Sequence, residues 1–180
     1  MSRSRIQAIA AMALATLVAG SVTVEAATFS LVSPHVIIVT GTVELGDCER
    51  WKAAIKPTVD TVILHSPGGR NGQGQCISRS IAERRLKTFV QGRCASICFL
   101  LFAAGAEKWA CDGAKIGVHR PADAVTREES ADPTFLRTIL EYAARYHVPR
   151  AIQDKLSETP PTAIYWLVDS DLASMNVKRC

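Results

Sequence analysis

Apolar positions along the chain repeat with two different periods. Thr28 to Val32 and His35 to Thr40 alternate or run apolar, with Val and Ile prominent, and both are predicted strands. Thr61-Val62-Ile63-Leu64 is a continuous apolar run of largely β-branched residues, the pattern of a buried parallel strand. Thr88 to Gln91, Lys108 to Cys111 and Ala114 to His119 are three more predicted strands. Helical segments separate them. One covers Cys48 to Ile55, with Asp47 as its cap and Pro57 as its stop. A second runs through Ile77, Ile81 and Leu86, and a third is the apolar stretch after Ser96. Further on, Phe135, Ile139, Tyr142 and Tyr146 recur at helical spacing, Pro149 opens a helix to Leu156, and Asp169 to Met175 is a final short one. Alternating strands and helices predict an α/β domain of parallel strands with crossover helices, followed by a block of helices outside that pattern.

The start of the chain has a different character. Arg3 and Arg5 precede an apolar segment from Ile6 to Gly20, and Val24-Glu25-Ala26 places compact residues where a signal peptidase reads. A signal peptide over 1–26 is expected, cleaved after Ala26 or after Ala27, with the α/β domain over 27–180. The apolar segment is short of the roughly 20 residues a membrane span needs; an uncleaved N-terminal anchor is the alternative. The expected location is therefore outside the cytoplasm, periplasmic or secreted. Composition, at 48% hydrophobic and 21% charged, is that of a globular chain. The net charge of +4 is modest and scattered, with no basic stripe interleaved with aromatics, so no nucleic-acid partner is expected.

Export changes the reading of the six cysteines, Cys48, Cys76, Cys94, Cys98, Cys111 and Cys180. An even number in an oxidising compartment favours disulfides. Cys94 and Cys98 form a C-x-x-x-C pair with no nearby histidine pair, a poor zinc signature, and no metal site is expected. The preferred pairing is Cys48 with Cys76, and Cys111 with Cys94 or Cys98, leaving Cys180 free or intermolecular.

Three segments carry candidate chemistry. Ser66-Pro67-Gly68-Gly69 comes directly off a buried strand, and its glycines let backbone N–H groups face an anion or an extended peptide. Gly92-Arg93-Cys94-Ala95-Ser96 is expected to be a tight turn that places Ser96 at a helix start, where it serves either as a nucleophile or as a plain N-cap. His119 ends an apolar strand beside Arg120-Pro121 and is the candidate general base. His65, next to the glycine turn, is a further candidate to line the site.

In this order the three segments resemble the Clp protease proteolytic subunit and its relatives in the ClpP/crotonase superfamily. Ser66-Pro67-Gly68-Gly69 with Gly74 resembles that family's S-P-G-G turn. Gly92, Ala95, Ser96 and Ala103-Ala104-Gly105 match its nucleophile segment in spacing, and Ile116 to Pro121 resembles its hydrophobic-His-x-Pro segment. The leader and the cysteines beside Ser96 look more like periplasmic Clp-like proteins. The resemblance implies a repeated β-β-α spiral with C-terminal helices. It implies Ser96 as nucleophile, His119 as base, the N–H groups of Gly69 and Ile97 as oxyanion hole, and Gly68 with its turn as the peptide-binding edge. It implies no cofactor, a peptide or unfolded-protein substrate and possible homo-oligomers. ATP is scarce outside the cytoplasm, so no ATP-driven unfoldase is expected.

The family's third member, an acid, is missing from its place before Trp166-Leu167, where Pro161 to Trp166 hold no carboxylate. Asp169 is the nearest carboxylate downstream and the candidate acid; Glu158 is the nearest upstream. Cys94 and Cys98 also flank Ser96, so a disulfide there would lock the nucleophile's turn, and a free Cys98 would be a reactive thiol. The expected function is an exported serine peptidase. The alternatives are a non-catalytic peptide-binding module that has lost its acid and, less well matched, a crotonase-type thioester enzyme.

Overall fold

In the computed structural model, residues 26–122 and 132–180 are described. The signal-peptide expectation for residues 1–26 falls almost wholly outside them, as does most of the polar loop from Ala122 to Asp132. Among the described residues, no helix is long and apolar enough to cross a membrane.

Two antiparallel strands, β1 (Thr28–Ser33) and β2 (Val36–Thr40), begin the sheet. Helix α1 (Asp47–Ala54) crosses to β3 (Thr61–Ser66), parallel to β2, with Ile37 level with Val62 and Val39 with Leu64. Helix α2 (Asn71–Glu83) crosses to β4 (Lys87–Ala95), parallel to β3. Helix α3 (Ile97–Ala103) leads to β5 (Glu107–Ala110), which pairs in parallel with the first half of β4. Strand β6 (Lys115–Val118) pairs in parallel with the second half, Arg93 level with Lys115 and Ala95 with Gly117. Helices α4 (Pro133–Arg145) and α5 (Arg150–Glu158) follow, then β7 (Tyr165–Trp166), α6 (Asp169–Ser174) and β8 (Lys178–Arg179). Strand β7 runs antiparallel to β6, and β8 parallel to β5. The eight strands form one sheet. The fold is therefore the α/β class predicted from the pattern.

The core explains the order of elements. Ile37, Val39, Val62, Leu64 and Val90 are fully buried in the central strands, and every residue of α3 is buried. A helix apolar on all sides can only be interior, so α3 sits between the sheet and α2 and α4, with Ser96 at its start.

Three features depart from the sequence pattern. Strand β4 continues through Arg93 to Ala95 instead of turning at Gly92, because a second partner, β6, takes up its far half. Helix α2 begins at Asn71, ahead of Gly72 and Gly74, despite the cost of glycine in a helix. Gly74 is required there, since a Cβ would run into the Ile97 side chain. The two-residue strands β7 and β8 are too short to leave a periodic signature.

The cysteines pair completely. Cys48 is bonded to Cys76, joining α1 to α2, the favoured pairing. Cys111 is bonded to Cys180, not to Cys94 or Cys98, and Cys180 is neither free nor intermolecular. Parallel pairing of β8 with β5, Ala110 level with Arg179, delivers Cys180 to Cys111. Cys94 is bonded to Cys98.

Candidate active site

The site begins at the end of β3. Ser66 is fully buried; its Oγ donates to the Gly41 carbonyl at 2.6 Å and accepts from the Gly68 N–H at 3.1 Å. It pins the glycine turn from beneath. Val43 seals one edge, its N–H donating to Gly68 O and its carbonyl accepting from Arg70 N–H, both at 2.7 Å. Gly68 and Gly69 have φ of 103° and 140°, which side-chain-bearing residues rarely adopt. Among the described residues, the Gly69 N–H donates to no protein acceptor. Replacing Ser66 with alanine is expected to leave the Gly41 and Gly68 groups short of a partner. The expected cost is about 1–3 kcal/mol of stability in urea unfolding.

Ser96 stands between β4 and α3 with φ 59° and ψ −130°. A non-glycine residue held there costs of order 1–3 kcal/mol and persists only where its surroundings impose it. Ser96 N–H donates to Gly117 O at 3.1 Å, and Ser96 O accepts from Phe99 N–H at 2.9 Å. It occupies the N-cap position of α3, yet its side chain makes no capping hydrogen bond, which leaves the hydroxyl free for chemistry. The glycine turn lies directly against this elbow: a Cβ on Gly68 would stand 2.6 Å from Ser96 Cβ and 3.1 Å from Ile97 N. The Ile97 N–H is the first of α3 and lacks an intrahelical acceptor.

His119 follows the last residue of β6 and is half-buried. Its Nδ1 lies 2.6 Å from the Arg120 carbonyl oxygen. A carbonyl can only accept, so Nδ1 carries the proton and Nε2 is left as the basic nitrogen. Arg120 N–H in turn donates to Thr159 O at 2.8 Å, tying this strand end to the end of α5. Ser96 and His119 line one cleft with Asn71, and Leu100, Ile139 and Leu156 make part of its apolar wall. No hydrogen bond joins Ser96 Oγ to His119 among the described residues.

Burial pushes the His119 imidazole below the ordinary value near 6.5, with the Arg120 carbonyl opposing. The neutral ring is the form that accepts a proton. Any Ser96 chemistry assisted by His119 is therefore expected to be level at neutral pH and to fall on acidification only below about 6.5. The check is a kcat/KM profile against pH; a midpoint above the ordinary histidine value would contradict it.

Asp169 is not the orienting acid. Its side chain is 91% exposed and bonded to Arg179 on β8, while the Nδ1 position it was expected to hold is occupied by the Arg120 carbonyl. Glu158 faces Lys155 at 3.9 Å. His65 does not line the cleft: it packs over Gly92, and its Nδ1 lies 3.4 Å from Arg93 N–H. Two members of the site had no motif behind them. Asn71, two residues past the glycine turn, has an amide side chain that makes no hydrogen bond among the described residues. The Arg120 carbonyl is backbone and leaves no trace in residue identity.

No protein-family model matches the chain, and no curated protein matches it. Solved structures do. ClpP1 from Listeria monocytogenes aligns with a TM-score of 0.57 at 17% identity over 81% of this chain and 91% of that one. A serine-to-alanine mutant of the 1510-N membrane-bound stomatin-specific protease aligns with a TM-score of 0.60 at 14% identity, over 81% and 78%. An enoyl-CoA hydratase from Mycobacterium avium subsp. paratuberculosis K-10 gives 0.52 at 18% identity, over 85% and 70%. At these identities the likeness is one of fold: the chain has the fold shared by ClpP and crotonase-like proteins.

Proposed function

We propose that the chain is an exported serine hydrolase that cleaves peptides through Ser96 and His119. Ser96 Oγ attacks the scissile carbonyl carbon while His119 Nε2 takes its proton. The resulting oxyanion is held by the Gly69 and Ile97 N–H groups. The proton then passes from His119 to the leaving amine, and water repeats the sequence to release the acid. The observation that carries this reading is Ser96 itself: a strained, uncapped serine backed by a glycine turn, in one cleft with a histidine whose tautomer is fixed.

The fold shared with ClpP1 and the stomatin-specific protease supports a peptide or unfolded segment as substrate and homo-oligomers as the working form. Export, periplasmic or secreted, is supported by the 1–26 pattern and by the three disulfides; retention by an N-terminal anchor is the variant of this proposal. The reaction as written uses no cofactor and no ATP-driven unfoldase.

The test is reaction of the folded, oxidised protein with a fluorophosphonate, followed by peptide mapping. An adduct on Ser96 is expected. Folded protein that takes no adduct from neutral to alkaline pH leaves the second reading, a peptide-binding module without turnover. That reading is favoured by His119 having a carbonyl in place of a carboxylate.

A further inference from the structure

We infer that the Cys94–Cys98 disulfide positions the Ser96 nucleophile, so that the site becomes competent only when these two thiols have been oxidised. This rests on the reading of Ser96 as the nucleophile. The bond closes a ring with Ser96 at its centre, two residues from each cysteine. One end is fixed in β4 and the other in α3, with Cα atoms 5.2 Å apart and both residues 0% exposed.

Three contacts hold Ser96 at positive φ. The Gly117 carbonyl takes its N–H, and Gly68 offers a surface that only a glycine could present. None is covalent: the Gly68 face lies against Ala95 O, Ser96 Cβ and Ile97 N by packing alone, and the Phe99 N–H on the Ser96 carbonyl is a single hydrogen bond. The disulfide ties the two sides of the serine covalently. Without it the backbone between Cys94 and Cys98 is free to relax toward negative φ, the ordinary state of a serine. That relaxation carries Oγ away from the cleft that Ser96 shares with Ile97 and His119.

Loop length separates this role from general stabilisation. The stabilisation a disulfide gives through the unfolded chain grows with the logarithm of the loop it closes. The three bonds span 69, 28 and 4 residues. Cys94–Cys98 closes the shortest loop and contributes least to global stability by that route, yet it is the bond that encircles the nucleophile. Its formation removes two protons and two electrons from the thiols. The electrons pass to a disulfide oxidant, a small molecule or a protein exchange partner, which leaves as its dithiol. Both cysteines are buried in the folded chain, so an exchange partner reaches them only while α3 is unpacked from the sheet.

The experiment compares oxidised wild type, Cys94→Ala/Cys98→Ala and Cys111→Ala/Cys180→Ala for thermal midpoint and for the second-order rate of fluorophosphonate labelling. The first double variant is expected to lose about tenfold or more in labelling, the order of effect that releasing a strained backbone implies, with the smaller drop in midpoint. The second is expected to lose more midpoint and to label within about twofold of wild type. Equal labelling by Cys94→Ala/Cys98→Ala and wild type overturns the inference. So do labelling losses that track the midpoint in both pairs. If the alanine pair does not fold, Cys94→Val/Cys98→Ala refills the core and is read the same way. The carbon chemical shifts of Ser96 give a readout free of any probe: a move to negative φ in the variant supports the inference, and an unchanged backbone overturns it. Wild type that takes no probe overturns the hydrolase reading alone, and those shifts then decide the role of the disulfide.

Discussion

Ser96→Ala is expected to abolish peptide turnover and fluorophosphonate labelling, a loss of about 10⁴- to 10⁶-fold in kcat if the serine acts as the covalent nucleophile. The thermal midpoint should barely move, because the hydroxyl makes no capping bond to α3. Ser96→Gly is the informative companion. Both variants lack the nucleophile, but glycine adopts φ 59° without the penalty a Cβ brings, so Ser96→Gly should be more stable than Ser96→Ala by about 1 kcal/mol. Retained turnover in Ser96→Ala would move the chemistry to another group and end the proposal. Equal stability of the two variants would show that the elbow is not strained.

Gly69→Ala should give the largest loss of stability, about 3–5 kcal/mol in urea unfolding. A Cβ there would run into the Val43 carbonyl oxygen and stand 2.7 Å from Val43 N and 2.9 Å from Val43 C. All three are backbone atoms and cannot swing aside. Relief requires separating Val43 from the turn, which breaks both 2.7 Å hydrogen bonds that seal its edge. Gly113→Ala serves as the control. It also has positive φ, at 76°, but a Cβ meets nothing within 4 Å. It should cost only the left-handed penalty of about 1–2 kcal/mol. If the two variants lose the same stability, close approach at Gly69 is not what the site depends on.

Much of the frame was legible because it is driven by burial. The apolar runs of β2 and β3 and the amphipathic helices between them report a parallel sheet directly, since a strand covered on both faces has no polar positions to spare. Ser66, Gly68, Gly69, Ser96 and His119 were legible through their order along the chain, and the fold brings Gly68 against Ser96 and seats Ser96 and His119 in one cleft. What could not be read depends on partners far away in sequence. The continuation of β4 to Ala95 exists only because β6 arrives beside it. Cys111 finds Cys180 only because β8 returns to β5. Asp169 was proposed from proximity along the chain, but the chain places its carboxylate at the surface with Arg179. The group that does meet His119 is a main-chain oxygen, which every residue possesses and no motif can record.

That oxygen bears on which bonds the site can break. In the proposed mechanism His119 would become an imidazolium on taking the serine proton, and a carboxylate partner would meet that charge with a full opposite one. The Arg120 carbonyl meets it with a dipole only. The histidine keeps its orientation but is a weaker reservoir for the proton. An amide depends on that reservoir most, because its nitrogen must be protonated before it departs, whereas an activated ester expels a stable anion unaided. The balance between the two therefore tilts toward acyl groups on good leaving groups. In the hydrolase proposed above, intact peptide bonds would be opened more slowly than activated esters.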